Sequence, residues 1–530
     1  MPCTGLFFLD KSAYCISAMM GVAYSGNFYT PIDTKMPEAR IEKILETLEN
    51  PLMVTDRKHL PQVQKFMGDS DVLCLEDALD EPYNEQVIMD FKARMIDTDV
   101  LYVLFTSGST GNPKGVIIGH RSVIDYIEWV TETFHFNENT VLGNQAPFYF
   151  DNSILDIYTM LKTGATMYII PQIYFAFPIK LLEYMETNLI NTIFWVPSAL
   201  CLVANLKALP KRHVNLLRNI LFAGEVMPNK QLNQWRREYP DALYGNLYGP
   251  TEITDVCAAY IVNREFRDDE VLPMGKACHN TEIFLLDEND YLVSAPDISG
   301  ELCVRGTCLA YGYYNNPEKT KSAFVQNPLN HAYPETIYRT GDLVKYNELG
   351  ELVYICRKDY QIKHMGHRIE LGEMETAASS LPGVNQNCCV YDDNRHKIVM
   401  YYTGTIDEKE LAAGLKSMVP DYMVPGKFIS LKVMPLNLNG KMDRVLLKKN
   451  WRIDMQEKIA DLLKDINGKD RISDFNMDLF ENDMLDSLGI AQLVAALEEN
   501  FNIEIDPEDI LPENFSTINE ISALVRKYMA

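Results

Sequence analysis

The chain has 530 residues, 47% of them hydrophobic and 10% aromatic, which is enough for about three or four domains with sizeable cores. Its formal net charge of −25 argues against nucleic acid or an anionic membrane surface as a partner, because both are negatively charged. The 11 cysteines form no CxxC motif or Cys/His cluster, so we expect reduced core thiols in a cytoplasmic protein rather than a zinc site or a disulfide scaffold. No apolar run reaches membrane-spanning length and no targeting signal is evident, so no direct membrane insertion is expected.

The chain up to about Val353 has the pattern of a layered α/β core. Its opening, GLFFLDKS followed by ISAMMGVAYSGNFYTPID, predicts a core strand, a buried helix and a turn. From Ala39 to Val103, helical spacing gives way to short apolar runs such as LMVTD and DVLCL, which indicates alternating helices and strands. A helix is predicted after residue 119 from the apolar spacing of Val123, Tyr126, Ile127 and Val130.

A glycine-rich loop between two apolar runs, at Val100 to Gly119, has the composition of an oxyanion-binding turn. Within TSGSTGNPKG at 106–115, glycines let the backbone approach a ligand, hydroxyls offer donors and Lys114 supplies a positive charge. The spacing is neither that of a P-loop, because Pro113 precedes the lysine and Gly115 follows it, nor that of a dinucleotide fingerprint. On composition alone, a solvated hairpin turn is the alternative to a phosphate site.

Three further segments place polar groups beside apolar runs. NQAPFYFDNSILDIYTM contains Asp151, which either caps a helix or pairs with a buried cation. NLYGPTE offers Tyr248 as a flat face for a purine, Thr251 as a hydroxyl for phosphate and Glu252 as a carboxylate for Mg²⁺, or is a turn before a helix. YRTGDL contains Asp342, whose carboxylate either bridges the two vicinal hydroxyls of a ribose or forms an Asx-turn.

The C-terminal part contains a lysine-tipped turn and a separate acidic unit. Asn439 and Gly440 give a tight-turn signal that presents Lys441 at the tip, although most turn lysines are simply solvated. From Asp454 to the end, 18 Asp and Glu stand against six Lys and Arg, and apolar residues recur at helical spacing, which predicts a small helical bundle. Within NDMLDSLGIAQLV, Ser487 begins a helix, where a serine is most often an N-cap.

Together these motifs resemble those of the adenylate-forming superfamily, and in particular a nonribosomal peptide synthetase adenylation domain followed by its carrier domain. The resemblance implies an α/β, multi-domain adenylate-forming fold, with a large α/β core and a small α+β subdomain, followed by an all-α four-helix carrier domain. It implies a large subdomain at 1–357, lacking an N-terminal portion usual in the family, a small subdomain at 358–447, a linker at 448–454 and a carrier at 455–530. NQAPFYFDNSILDIYTM, FAGEVMPN and MLDSLGIAQLV look closest to a D-alanine ligase, here fused to its carrier protein.

Site residues follow from the resemblance by matching positions. The positions that would bind ATP are Thr106, Ser107, Gly108, Ser109, Thr110, Gly111, Lys114, Gly224, Glu225, Asn246, Tyr248, Gly249, Thr251, Asp342 and Arg357. The positions that would line the amino-acid pocket are Asp151, Asn152, Leu155, Trp195, Leu221, Ala223, Leu247, Asp255 and Val256. Glu252 would hold Mg²⁺, Thr251 and Lys441 would act in catalysis, Asp359 would be the swivel residue between subdomains, and Ser487 would carry 4′-phosphopantetheine.

The implied activity is that of an AMP-forming ligase. An amino acid would be adenylated by ATP with release of pyrophosphate and then transferred as a thioester to the arm on Ser487. The implied partners are the amino acid, a phosphopantetheinyl transferase, and a downstream condensation, reductase, thioesterase or acyl-acceptor protein. Two alternatives stay open, an acyl- or aryl-CoA ligase and a catalytically impaired scaffold, the latter prompted by the missing N-terminal portion.

Residues in the pocket leave the identity of the amino acid open. Asp151 matches the position that binds the α-ammonium of an amino acid. Trp195 would shrink the side-chain pocket and favour a small substrate, whereas Asp255 would pair with a hydroxyl or an amine. Trp195, Ala223 and Asp255 also depart from the D-alanine ligases, which weakens that assignment.

Overall fold

A computed structural model describes residues 4–49, 51–68, 71–107, 112–268, 270–358, 361–392, 396–435, 442–467, 472, 474–482, 484–485, 487–501, 503, 505–506 and 509–529. The chain divides into two compact units, the first comprising 1–377 with 412–424 and the second 378–411 with 425–530. Within the described ranges, none of the helices combines the length and hydropathy that crossing a membrane requires. The first unit includes the predicted large subdomain and continues past its predicted boundary at 357.

The first sheet is formed by the opening third of the chain. Its strands are β1 (Thr4–Phe8), β2 (Phe28–Pro31), β3 (Leu52–Thr55), β4 (Val72–Cys74), β5 (Val100–Thr106) and β6 (Lys114–Gly119). The accompanying helices are α1 (Ala13–Tyr24), α2 (Glu38–Leu48), α3 (Leu60–Val63), α4 (Leu75–Asp80), α5 (Glu85–Lys92) and α6 (His120–Thr133). The strand, helix and turn predicted for the opening are therefore present, and β5 and β6 pair antiparallel on either side of the glycine-rich loop.

The second sheet is mainly parallel and positions the candidate site. Its strands are β7 (Val141–Asn144), β8 (Thr166–Ile169), β9 (Thr192–Trp195), β10 (Asn219–Ala223), β11 (Leu243–Tyr248), β12 (Ala258–Ile261) and β13 (Lys276–Ala277), in the order β13-β12-β11-β10-β9-β7-β8. Its helices are α7 (Asn152–Thr163), α8 (Pro178–Thr187), α9 (Pro197–Asn205) and α10 (Asn229–Glu238). Because both faces of the central strands are covered, their sequences are continuous apolar runs such as TIFW and NILFA.

The two faces of this second sheet bury different clusters of side chains. On β10, Leu221 and Ala223 belong to the cluster between the first two sheets, whereas Phe222 belongs to the cluster under α8 and α9. On β9, Phe194 faces the first of these clusters and Trp195 the second. Alternate residues of a strand point to opposite faces, so a one-residue shift changes which core a side chain enters.

The rest of the first unit forms a third, antiparallel sheet and a hairpin. The third sheet contains β14 (Thr281–Leu286), β15 (Leu292–Val293), β16 (Ser299–Gly306), β18 (Phe324–Gln326), β19 (Thr336–Tyr346) and β20 (Leu352–Arg357), and β17 (Gly312–Tyr313) joins the first sheet beside β6. Helix α11 (Pro317–Ala323) lies between β17 and β18 in the chain. The hairpin of β21 (Gln361–His364) and β22 (His367–Glu370), predicted from the alternation in YQIKHMGHRIEL, is followed by α12 (Leu371–Ser379).

The second unit contains a small sheet and the C-terminal helices. Its sheet consists of β23 (Val384–Asp392), β24 (Lys397–Gly404) and β25 (Lys427–Ser430). Helix α13 (Glu408–Lys416) follows β24 in the chain, and the division between the two units falls within it, after Leu411. The later helices are α14 (Arg444–Asn467), α15 (Ser487–Phe501) and α16 (Ile518–Met529), whose apolar residues share one core. Residues 448–454, predicted as a linker, lie inside α14.

Candidate active site

Loops at one edge of the second sheet bring the candidate residues into one region. Asp151 follows β7, Gly224 and Glu225 follow β10, and a short 3₁₀ turn at Thr251–Ile253 follows β11. Carboxyl ends of neighbouring parallel strands meet at the same edge of a sheet, which is where α/β proteins bind ligands. Gly249 permits the tightest of these turns, because a Cβ there would lie 2.2 Å from the backbone oxygen of Asp255.

The described ends of the glycine-rich loop carry buried polar groups. Thr106 and Lys114 pair across β5 and β6, and the Thr106 hydroxyl is buried without a hydrogen-bond partner among the described residues. The Ser107 hydroxyl donates to the backbone oxygen of Arg368 at 2.6 Å. Lys114 is 9% exposed, and its ammonium lies 3.7 Å from the Glu370 carboxylate. Gly108, Ser109, Thr110 and Gly111, predicted to bind phosphate, lie outside the described residues.

Glu252, the predicted Mg²⁺ ligand, is a buried, ionised carboxylate. It is 0% exposed, accepts a hydrogen bond from the Tyr313 hydroxyl at 2.7 Å and pairs with the Arg368 guanidinium at 2.5 Å. Burial raises the pKa of Glu252, but the charges of Arg368 and Lys114 outweigh burial and lower the pKa to about 2. Thr251, which precedes it, is also buried.

This environment suits a magnesium–nucleotide complex better than a free metal ion. The described residues contain no group of three His, Cys, Asp or Glu able to hold a metal ion. Mg²⁺ typically takes one or two protein carboxylates and completes its shell with phosphate oxygens and water. The single ionised carboxylate of Glu252 therefore fits the ion when it arrives with a nucleotide.

Asp342, Tyr248 and Arg357 come together as the predicted ribose and purine positions. The Asp342 carboxylate accepts hydrogen bonds from the Tyr248 hydroxyl and from the Arg357 guanidinium, the latter at 3.2 Å. Asp342 is 3% exposed and lies within β19 opposite Arg357 of β20. Burial, and next the Asp342 charge, raise the pKa of Tyr248 well above its usual value, so this hydroxyl stays protonated as a donor.

Glu225 and Asn246 make their hydrogen bonds to backbone groups. The Glu225 carboxylate accepts from the backbone N–H groups of Ser198 at 2.9 Å and Gly366 at 2.7 Å. The Asn246 amide donates to the backbone oxygen of Pro273 at 2.8 Å. Both residues fix loops around the site in this structure.

The predicted amino-acid pocket positions are mostly buried apolar residues that pack in one cluster, with carboxyl groups beside them. The apolar positions share one cluster with Tyr102, Tyr126 and Phe194; they are Leu155, Leu221, Ala223, Leu247 and Val256. Asp151 is the N-cap of α7, and its carboxylate accepts from the Asn152 N–H at 3.0 Å, so the capping alternative is present in the structure. The Asn152 side-chain amide is buried without a partner among the described residues.

Trp195 lies on the other face of the second sheet from these residues. It is 0% exposed, its indole N–H donates to the backbone oxygen of Gly143 at 2.8 Å, and its ring contacts Phe175 edge-on at 5.1 Å. Its neighbour Phe194 enters the pocket cluster instead. The structure therefore corrects the expectation that Trp195 shrinks the pocket, because the strand register places Phe194 on that side.

The β21–β22 hairpin supplies cations that sequence reasoning did not single out. Lys363 and Arg368 are paired in register, and the Lys363 ammonium lies 5.4 Å from the centre of the Tyr248 ring. Burial lowers the pKa of Lys363, while Asp342 and Asp151 raise it. The signal available in the sequence was the alternation in KHMGHR, which puts two basic side chains on one face of a hairpin.

Three predicted residues cannot be placed as side chains in the site. Asp359 and Lys441 lie outside the described residues. Ser487 is the first residue of α15, as predicted, and its side chain is likewise outside what is described.

Two family models match the chain over distinct ranges. AMP-binding enzyme matches residues 5–314, and phosphopantetheine attachment site matches residues 457–525. The first range contains the glycine-rich loop and the amino-acid pocket, and the second contains Ser487.

Curated relatives are about a third identical to this chain over the aligned residues. The L-proline--[L-prolyl-carrier protein] ligase of Streptomyces coelicolor is 32% identical over 468 residues, covering 82% of this chain and 85% of that protein. Tyrocidine synthase 3 of Brevibacillus parabrevis is 32% identical over 447 residues, which is 83% of this chain but only 7% of that protein. The chain thus corresponds to one segment of such a large synthase.

A solved structure of a nonribosomal peptide synthetase protein containing adenylation and PCP domains has the same fold. It matches with a TM-score of 0.71 at 22% identity and covers 100% of this chain and 88% of its own. The predicted adenylate-forming fold with a carrier domain is therefore confirmed.

Proposed function

The chain belongs to the family of AMP-binding enzymes, and from this premise we propose that it adenylates an amino acid with ATP and loads it as a thioester onto phosphopantetheine at Ser487. The observation that carries the proposal is the convergence, in one unit, of three separate polar groups. These are the ionised Glu252 beside Lys114, the Asp342–Tyr248–Arg357 cluster, and Asp151 at the start of α7, whose buried residues belong to the apolar cluster of the predicted amino-acid pocket.

In the first half-reaction the chain's residues hold two reactants for an in-line displacement. Asp151 binds the α-ammonium, Asp342 accepts the ribose hydroxyls, and Lys114 with the hydroxyls of the glycine-rich loop binds the phosphates. Lys441 orients the substrate carboxylate, whose oxygen attacks the α-phosphorus as the bond to pyrophosphate breaks. Bound through Glu252, Mg²⁺ supplies charge neutralisation for the phosphates.

In the second half-reaction the small subdomain turns about Asp359 and withdraws Lys441. The thiolate of the arm on Ser487 then attacks the acyl carbonyl, and AMP leaves with the electron pair of the broken acyl–phosphate bond. Partners of the loaded carrier would include a phosphopantetheinyl transferase and a downstream condensation, reductase, thioesterase or acyl-acceptor protein. The acidic residues after Asp454 favour basic docking surfaces on these partners.

Amino-acid-dependent exchange between ATP and pyrophosphate tests the first half of the proposal. We expect Lys441→Ala to reduce exchange on the order of 1,000-fold while leaving transfer from a preformed aminoacyl-adenylate intact. The exposed Lys432 gives a matched control, because Lys432→Ala removes the same charge at a residue that is not among the predicted site positions. Full exchange by Lys441→Ala would remove Lys441 from the mechanism.

Arm loading tests the second half and separates the alternatives. Ser487→Ala should retain exchange and lose all thioester formation. Acylation of free coenzyme A in preference to the carrier would instead favour an acyl- or aryl-CoA ligase, and failure to bind ATP would favour a scaffold.

A further inference from the structure

The amino-acid pocket contains a second buried carboxyl group besides Asp151. Asp255 is 2% exposed, and the next residue, Val256, belongs to the apolar pocket cluster. One carboxyl oxygen of Asp255 accepts a hydrogen bond from the Tyr126 hydroxyl at 2.7 Å. Tyr126 comes from α6 and belongs to the same cluster. A neutral hydroxyl, rather than a cation, therefore holds this carboxyl group in place.

The backbone at Asp255 adopts an uncommon conformation. Thr254 and Asp255 have φ of +62° and +71°, in the left-handed region that residues other than glycine rarely occupy. The Thr254 hydroxyl donates to the backbone oxygen of Cys308 at 2.8 Å, and Gly249 leaves room for the backbone oxygen of Asp255. Such conformations persist where contacts on several sides fix them, and they concentrate at functional sites.

The pocket has more carboxyl groups than cations. Burial, and next the Asp151 charge, raise the pKa of Asp255 well above its usual value, and the Tyr126 hydrogen bond opposes them. Among the described residues neither Asp151 nor Asp255 forms an ion pair, and Lys363 attracts both without contact. The titratable groups that face Asp255 are Tyr102 of β5, Tyr126 of α6, Asp151 and Asp156 at α7, Lys363 of β21 and Cys278.

A second polar group in the pocket also lacks a partner. Tyr102 is 0% exposed, its hydroxyl has no hydrogen-bond partner among the described residues, and both carboxyl groups act on it electrostatically. An apolar substrate side chain would leave this hydroxyl and the free oxygen of Asp255 unpaired. Buried polar groups without partners are costly, so the pocket suits a polar side chain.

We infer that the pocket takes a diamino monocarboxylic acid, with Asp151 receiving the α-ammonium and Asp255 the ammonium at the end of the side chain. Two buried carboxylates become favourable when two cations join them, and this substrate class brings both. An acidic side chain would add a third negative charge. The inference rests on the proposed function, because it concerns the same pocket and the same reaction.

The wild-type chain can be tested with matched sets of amino acids in the exchange reaction. One set contains 2,4-diaminobutyrate, homoserine and norvaline, which end in an ammonium, a hydroxyl and a methyl group on chains of equal length. Equivalent sets built on 2,3-diaminopropionate and ornithine vary the length. We expect kcat/KM for at least one diamino acid to exceed that of its methyl counterpart on the order of 100-fold, the typical loss when a buried charge pair is broken.

Variants at the carboxyl group separate its role from a structural one. Asp255→Asn should remove the preference for the ammonium over the methyl group within the matched set, and Tyr126→Phe should weaken that preference. Asp125→Asn is the control, because Asp125 lies next to Tyr126 on α6 but accepts from Asn280 instead of facing the pocket. If Asp255→Asn does not fold, the wild-type panel and Tyr126→Phe still test whether the pocket prefers a side chain that ends in an ammonium group.

Proton release provides a readout that does not depend on turnover. Burial and the Asp151 charge raise the pKa of Asp255, and a bound ammonium would lower that pKa, so binding of a diamino acid should release protons at a pH between the two pKa values. Calorimetry over a range of pH, in two buffers of different ionisation enthalpy, should show more protons released by the diamino acid than by norvaline, and this difference should disappear in Asp255→Asn.

The outcomes distinguish this inference from the proposed function. Efficient exchange with an apolar or hydroxylated amino acid, and none with diamino acids, would overturn the inference and leave the function standing. Absence of exchange with every amino acid would overturn both. A diamino preference that persists in Asp255→Asn would also overturn the assignment of Asp255.

Discussion

The nucleotide half of the site and its amino-acid half differ in how their charges are balanced. On the nucleotide side, Glu252 pairs with Arg368, Asp342 with Arg357, and Lys114 lies beside Glu370. On the amino-acid side, Asp151 and Asp255 have no ion-pair partner among the described residues. ATP must therefore replace contacts that the chain makes with itself, whereas the amino acid brings charge that the pocket lacks.

This difference predicts that removing a charged side chain affects a different substrate in each half of the site. A loss on the amino-acid side should appear in the KM of the amino acid, and a loss on the nucleotide side in ATP binding or in stability. Both carboxylates on the nucleotide side are stabilised before any ligand arrives. The largest effect on binding is thus expected where no internal partner exists.

Asp151→Asn should have the largest effect. Asparagine is as good an N-cap as aspartate, so α7 should form, but the α-ammonium loses its only expected counter-charge. We expect kcat/KM for the amino acid to fall about 100- to 1,000-fold, with little change in the KM of ATP. Steady-state exchange at varied amino acid measures this, and a rise in the KM of ATP alone would break the comparison.

Glu252 should give a marked pH dependence of stability. Its folded pKa of about 2 lies below the ordinary value of 4.5, so its stabilisation is complete above about pH 4.5 and is lost as the pH falls through about 2. The shift corresponds to about 3 kcal/mol in the free energy of unfolding. Denaturant unfolding of Glu252→Gln should show a flatter pH dependence over this interval than the wild-type chain.

Two further variants sharpen the acid-stability prediction. Arg368→Gln should also flatten the profile. Without the Arg368 charge, less positive charge opposes the effect of burial, and the pKa of Glu252 is lowered less. Glu138→Gln is the control at an exposed carboxylate and should leave the profile unchanged. Identical profiles for all four proteins would show that the Arg368 pair does not stabilise Glu252.

Tyr248→Phe should have a smaller effect, confined to the nucleotide half. It removes one hydrogen bond to the Asp342 carboxylate and leaves the Arg357 contact in place. A hydrogen bond to a charged group contributes about 1.5 kcal/mol, so the KM of ATP should rise about 10-fold. Tyr260→Phe removes a hydroxyl bonded to Glu351 outside the site and serves as the control. A change in amino-acid preference in Tyr248→Phe would contradict the separation of the two halves.

Trp195→Phe should have the smallest effect on catalysis. The Gly143 carbonyl loses its hydrogen bond, which costs about 1 kcal/mol of unfolding free energy, while amino-acid preference stays unchanged. Phe194→Leu, one residue earlier, should alter the preference because Phe194 lies in the pocket cluster. Comparing thermal unfolding and the exchange panel for the two variants would reveal whether the pocket instead uses Trp195.

The fold was largely predictable from the sequence because its periodicities are local. Val123, Tyr126, Ile127 and Val130 are all buried on α6, as their helical spacing predicts, and the apolar run from Val100 forms β5. The predicted linker at 448–454 lies inside α14 because the segment contains neither glycine nor proline to end a helix.

The site was predictable as a set of positions but not in its orientations and pairings. Motif matching assigns Trp195 to the pocket. A shift of one residue along β9, however, decides whether a side chain lies on the pocket face of the sheet or on the opposite face. Arg368 reaches Glu252 only because a hairpin more than 100 residues later in the chain comes close to the turn after β11, and such long-range contacts leave no local pattern. The sequence alone identified Asp255 as a carboxyl group at a pocket position, whereas its hydrogen bond to Tyr126 is visible only in the folded structure.

The central claim is tested most directly by the intact mass of the full chain. The mass is measured after the chain has been incubated with a phosphopantetheinyl transferase, ATP and a panel of amino acids. The account predicts a first mass increase from the arm and a second, strictly ATP-dependent increase from an aminoacyl group, both absent in Ser487→Ala. A carrier that gains the arm but no aminoacyl group from any amino acid would contradict it.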